Sequence, residues 1–250
     1  MTIAKTDSAP ATGAAHLGET ARVWLVALGF WLVFGLLCTI LYPVTMTDSI
    51  TRYAPMADAF AAGDWKFVFH PRFGVLFEVL CGGVSWLTGL SGAKSIQVVS
   101  SGFLALAGVP VFFLVKRLFG ARIAWWSLAL LFVNDDFTRY AMDGLRDTGK
   151  CLAFALVAYG AIEDRPAWLG LGVFVFVTLV AYGFALGSVF LFAWCVYCVL
   201  TRPLGLAALS SLVPFLGWAT GTAAVTVMTH AYTGHWVPTT HFIKLVGDWL

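Results

Sequence analysis

The stretch "PAWLGLGVFVFVTLVAYGFALGSVFLFAWCVYCVLT" (166–201) decides the fold. It carries no charge and is too long for a single spanning helix, which needs about 20 apolar residues. Two tight spans hinged near "AYGF" (181–184) fit it, entered from the polar turn "EDRP" (163–166) and left at Arg202 and Pro203. Outward from it lie further charge-free runs at 23–47, 95–115 and 203–243, with shorter ones at 79–93, 123–134 and 151–162. The chain is 60% hydrophobic and 11% charged, whereas soluble domains carry about 25% charged residues. A water-soluble globule is therefore excluded. Continuous apolar runs, in place of alternating ten-residue segments, also exclude an outer-membrane barrel. The expected fold class is all-α, a polytopic helical membrane protein. The net charge of +2 selects no partner.

The loop "KRLFGAR" (116–122) packs Lys116, Arg117 and Arg122 between two apolar runs, which the positive-inside rule assigns to the cytoplasm. Counting every run as a crossing gives eight helices. The run at 73–90 is short, glycine-rich and carries Glu78; laid along the interface, it leaves seven crossings and fits the 116–122 assignment. Residues 43–94 then form one long external loop with interfacial helices over about 49–62 and 72–89. The other expected spans are 22–42, 95–115, 118–135, 148–163, the pair within 166–201, and 204–228. An external loop is expected near 136–147. Residues 1–21, small and polar, read as a disordered cytoplasmic tail, and 22–250 as one transmembrane module. The run at 22–42 is too long for a signal-peptide core and has no A-x-A-like site after it.

Eight cations fall in the external segments: Arg52, Lys66, Arg72, Lys94, Arg139, Arg146, Lys150 and Lys244. They are what an anionic headgroup or phosphate requires; solvated loop charge is the other account of them.

After the first helix the chain reads "TDSITRYAPMADAFAAGDW" (47–65). This segment resembles the first external loop of integral-membrane glycosyltransferases of the GT-C fold. The closer likeness is to glycosyltransferase family 39, which holds the protein O-mannosyltransferases and the lipid A aminoarabinose transferases. In that family D-E-x-x-Y-A, about ten residues and then G-D-W follow the first helix. The resemblance implies that Asp48 is the general base, with Arg52 and Tyr53 of the same motif at the substrate. Ser49 stands where the family has a second acidic residue. Independently, an inverting displacement of a sugar from a polyprenyl phosphate needs one carboxylate to take the acceptor proton. Asp48 could instead simply N-cap the helix that follows.

The stretch "FVFHPRFGVLFEVLCGGVSWLTG" (67–89) resembles the family segment in which F-E-K-P-P-L or H-P-P-L opens an interfacial helix. The likeness implies His70 as a group that helps hold a metal or the acceptor, and Arg72 as a phosphate-facing cation. The segment "LFVNDDFTRYAMDGLRDTGKCLAFALVAYG" (131–160) resembles the second external loop. It implies Asp147 as a second catalytic carboxylate, with Asp143 the next candidate, and Arg146 and Lys150 at the phosphodiester. Asp147 also has a helix-cap account. The R-L-F-G-x-R loop recurs in the family, whose members usually continue past seven helices, so the chain could be incomplete at its C-terminus.

Cys195-x-x-Cys198 sits mid-helix with no polar neighbours, and His230, His235 and His241 are spaced five and six apart, which puts no pair one helical turn apart. Neither pattern makes a metal site, so no metal ligands are assigned; the cofactor is open, a divalent metal included. Walker A, GxGxxG, GxSxG and HExxH motifs are missing. The expectation is a multi-pass enzyme of a bacterial inner or plasma membrane, with its site on the external face. It would move a sugar from a polyprenyl-phosphate donor to a lipid, glycan or protein acceptor, with no role for nucleic acid. The alternatives are a non-catalytic membrane scaffold and a lipid-linked transporter. A transporter would favour ionisable residues within the helices and repeat symmetry.

Overall fold

The computed structural model describes residues 13–64, 75–180, 183–234 and 236. All regular structure among them is helical. Helix α1 spans Gly13–Leu41; a π turn at Ser49–Tyr53 leads into α2 (Ala54–Ala61), followed by α3 (Val75–Thr88) and α4 (Gly92–Phe119). Then come α5 (Ala121–Val133), α6 (Asp135–Met142), α7 (Asp147–Ile162), α8 (Pro166–Leu179), α9 (Gly183–Thr201) and α10 (Leu204–Thr233).

Four of these helices, over Gly18–Leu41, Gly92–Phe119, Gly183–Thr201 and Leu204–Ala231, are long and apolar enough to cross a membrane. Apolar side chains cover α1, α9 and α10 on all sides, and many face outward, among them Leu32, Leu36, Phe192, Leu200 and Leu209. Surfaces of that kind suit hydrocarbon and not water. The chain is thus a helical membrane protein. Helices α5, α7 and α8 have 13, 16 and 14 residues, about 20–24 Å at 1.5 Å per residue.

Contacts between helices fix their directions. Trp31 Nε1 donates to the Val98 carbonyl at 2.9 Å while Glu19 pairs with Lys116, so α1 and α4 are antiparallel. Phe112 meets Trp125, and Phe132 packs beside Gly108, which sets α5 antiparallel to α4. Ser100 and Thr148 share a hydrogen bond of 2.9 Å and Phe113 meets Tyr159, so α7 runs with α4. Helix α8 returns beside α7, with Gly160 against Leu169 and Gly172 against Ala153. Trp194 Nε1 donates to the Ser210 carbonyl and Trp218 Nε1 to the Phe184 carbonyl, pairing α9 and α10 antiparallel. Seven rods therefore alternate in direction.

The tightest crossing lies between α8 and α10. A Cβ on Gly217 would stand 2.2 Å from the Gly170 carbonyl oxygen, so the two backbones touch there, the small-residue contact by which helices associate without a hydrophobic driving force.

The alternation gathers the polar connections at two ends. At one end Glu19 pairs with Lys116, Arg117 with Glu163 at 3.7 Å, and Arg202 with Asp164. At the other lie the 42–53 connection, α2, α3, α6 and the first turns of α4 and α7.

The helix boundaries differ from expectation in several places. The tail expected to be disordered through residue 21 is helical from Gly13, because the alanine-rich "GAAHLGETA" continues the span in good helix formers. The helix expected over 49–62 opens as a π turn and becomes α-helical at Ala54. The expected span 118–135 stops at Val133, where Asn134 leaves the helix and accepts from the Phe137 amide, starting α6 inside what was expected to be loop. The last helix runs on to Thr233, past 228. The helix expected over 72–89 is present from Val75 to Thr88, and residues 72–74 lie outside the described residues. The hinge in 166–201 falls where expected, between Leu179 and Gly183.

Candidate functional site

The site is built on the connection that leaves α1. Two buried side chains pin it. The Asp143 carboxylate accepts from the Thr45 amide at 2.9 Å, the Thr45 hydroxyl at 2.7 Å and the Met46 amide at 3.3 Å. The Gln97 amide donates to the Tyr42 carbonyl at 3.0 Å and the Met142 carbonyl at 2.7 Å, clamping the end of α1 to the end of α6. Gly144 follows at φ +66°, with Ile96 so close that a side chain there would collide at 2.4 Å. Asp143, the second candidate for a catalytic role, therefore works as a tether for the loop that carries Asp48.

Asp48 opens the π turn without making a side-chain cap hydrogen bond. Its carboxylate meets the Arg52 guanidinium at 2.8 Å, with both side chains about half exposed. Asp147 is the first residue of α7, and its carboxylate takes the Lys150 ammonium at 2.6 Å. Neither acid is spent as a cap, although capping was the other account of each. Both stand at the surface, paired to a cation one turn along the helix.

Tyr53 connects the two. Its ring is 3% exposed and meets Phe77 of α3 edge-on at 5.3 Å, and the Arg146 guanidinium lies 5.8 Å from its centroid. Arg146 also donates to the Leu179 carbonyl at 3.3 Å, reaching the end of α8. Burial pushes the Tyr53 hydroxyl up to about 12; Arg146 opposes this, while the charges of Glu78, Asp48 and Asp147 add to it. Carboxylates from two separate loops thus act on one phenol. The structure brings Asp48, Arg52, Tyr53, Arg146, Asp147 and Lys150 together at one end of the bundle. His70 and Arg72 lie outside the described residues.

Glu78 was missed as a site residue. It is 1% exposed on α3, and burial lifts its carboxyl to about 7 against the pull of Arg146. The sequence signal was available: an acid alone in an apolar run must find compensation or hold a proton. Gln97, a neutral amide inside the apolar run 95–115, must likewise find hydrogen-bond partners there. Asp58, also unanticipated, accepts from the Gly92 amide at 2.6 Å and fixes the start of α4.

Among the described residues no group of three His, Cys, Asp or Glu side chains could hold a metal ion. His230 stacks on Trp236 with centroids 3.8 Å apart; His235 and His241 lie outside the described residues. Cys195 and Cys198 are free thiols, the latter buried. The described donors do not fit a divalent cation, and no chemistry is routed through one.

Two apolar crevices flank the rods. One, of about 160 Å³, lies between α1 and α4 beside Trp24, Trp31 and Leu106; the other, of about 270 Å³, between α7, α8 and α9 beside Val157, Phe190 and Trp194.

No protein-family profile, curated protein or solved structure matches this chain.

Proposed function

We propose that this protein is a membrane glycosyltransferase that moves a sugar from a polyprenyl-phosphate carrier to a lipid, glycan or protein hydroxyl. The observation that carries the reading is the pair of surface carboxylates, Asp48 and Asp147, which flank Tyr53 beside Arg146 at one end of an apolar bundle. The resemblance of 47–65 to family 39 of the GT-C glycosyltransferases supports it. In the reaction the acceptor oxygen attacks the anomeric carbon and gives its proton to Asp48. The bond from that carbon to the phosphate oxygen breaks, and polyprenyl phosphate leaves as an anion. Such a base is worth about two to four powers of ten in rate.

Arg52 orients Asp48, Asp147 and Lys150 border the sugar, and Arg146 and Lys150 meet the phosphate, with His70 and Arg72 as further contacts from the 65–74 stretch. The prenyl tail lies in an apolar crevice along α4 or α9. Seven crossings, with the site end outside a bacterial inner or plasma membrane and the Lys116–Arg122 end in the cytoplasm, match the alternation of the rods.

The test is to incubate membranes holding the full-length protein with a panel of radiolabelled polyprenyl-phosphate sugars. Transfer of label to a lipid, glycan or protein fraction is expected for at least one of them, and to be lost in Asp48→Asn. Failure of the whole panel would sink the reading.

A further inference from the structure

Glu78 differs from four other acids at this end of the molecule. Asp48, Asp58, Asp143 and Asp147 each hold a donor. Both Glu78 carboxyl oxygens are buried and have no hydrogen-bond partner among the described residues. It stands on α3 one residue after Phe77, whose ring meets Tyr53 edge-on, and the Arg146 guanidinium lies 5.8 Å from the centre of the same Tyr53 ring. Arg146 is close enough to pull on the Glu78 carboxyl without pairing with it.

Among the described residues, few other charges surround Glu78. Tyr53 from the π turn and Cys81 from its own helix both feel Glu78 and are themselves pushed up by burial. On α2, Asp58 is taken by the Gly92 amide. On α4, Lys94 is exposed, and α8 contains no ionisable side chain. Among the described residues, Arg146 is the cation that favours the ionised form of Glu78.

We propose that Glu78 is a positioning residue acting through Arg146: it takes up a proton when an anionic phosphodiester settles on the guanidinium, and releases it when the anion leaves. This rests on the phosphate-binding part of the proposed function. The physical reason is linkage. An anion on Arg146 cancels the positive field that helps Glu78 ionise, while burial keeps acting against the charge. Coupling is reciprocal, so a proton on Glu78 strengthens anion binding by the same factor by which the anion favours the proton. Ionised Glu78 competes electrostatically for Arg146; neutral Glu78 does not. With the carboxyl balanced near neutrality, the exchange falls within the ordinary working range.

The experiment uses the full-length protein in detergent micelles and farnesyl methyl phosphate, a phosphodiester that keeps one charge from pH 5 to 9. Affinity is measured by calorimetry between pH 6 and pH 9, in buffers of different ionisation enthalpy. The wild-type protein should bind with net proton uptake, and its affinity should fall with rising pH, by up to about tenfold per unit. Glu78→Gln, an isostere of the protonated acid, should bind with no uptake and a flat profile. Arg146→Lys should weaken binding at every pH, since a point charge replaces a fork.

A wild-type affinity that stays flat without proton uptake, with Arg146→Lys still weakening binding, overturns the Glu78 proposal and leaves the functional reading standing. So does a pH dependence that survives in Glu78→Gln. Binding that ignores Arg146→Lys, or no binding at all, removes both. Should the Gln variant fail to fold, the presence or absence of proton uptake by the wild-type protein still decides.

Discussion

The Arg146 guanidinium lies 5.8 Å from the centre of the Tyr53 ring, and through this contact the second polar loop rests on the first. Arg146 belongs to the turn before α7 and Tyr53 to the π turn before α2, so the stacking brings the two carboxylate-bearing segments into one site. Burial of the ring makes the contact a fixed one, since the phenol edge is held by Phe77 from below.

Asp48→Asn should reduce sugar transfer by about two to four powers of ten while leaving the melting temperature in detergent nearly unchanged. Asp48 makes no cap bond, and its exposed pair with Arg52 stabilises little. Full activity in the Asn variant would remove Asp48 as the base.

Asp143→Ala should destabilise the protein by roughly 1–3 kcal/mol, because two backbone amides and a hydroxyl lose their common acceptor. The variant should also lose transfer activity, although every proposed catalytic group is intact, since the loop carrying Asp48 is no longer held. Denaturant unfolding and a transfer assay on the same preparation check both halves. Wild-type stability would contradict the tether.

Glu78 predicts a specific pH dependence of stability. Its folded-state carboxyl sits at about 7, above the ordinary 4.5. The folded protein therefore holds a proton that the unfolded chain gives up between those values. The stabilising effect of that proton is complete below about 4.5 and is lost as pH rises through 7. Glu78→Gln should melt with the wild-type protein at pH 4.5 and above it at pH 8. Parallel melting curves across that range would refute an ionising Glu78.

Single cysteines at Ser91 and Gly120 report topology. Ser91 precedes α4 at the site end, and Gly120 closes the opposite turn. An impermeant maleimide applied to intact cells, in a background without native cysteines, should label the first and leave the second unmodified. Labelling of Ser91 only after permeabilisation would invert the proposed orientation.

The rods were legible in the sequence because long apolar runs leave a helix in lipid no other conformation. Both ends of 166–201 and its break near 181 followed from run length and flanking charge alone. The connections were less legible. Asn134 restarts a helix where "NDDF" reads as loop, and nothing in "TDSITRY" distinguishes a π turn from an α-helical one. Asp48 and Asp147 stand at the same end of the bundle, as the order of the apolar runs requires. Glu78, Gln97 and Asp143 act through distant partners, and a partner far along the chain leaves no local pattern.

The π turn also governs direction. Five positions apart on an α-helix, Asp48 and Tyr53 would point more than a third of a turn away from each other. Hydrogen bonding from each residue to the fifth along turns the chain less per residue, so the two come onto the same side of the helix. The reach of Asp48 toward the Tyr53–Arg146 stack is therefore a matter of phase. The π turn thus absorbs one extra residue without losing phase: with one residue removed between Asp48 and Tyr53 an ordinary α-helical turn would form, and the pair, four apart, would still share a face.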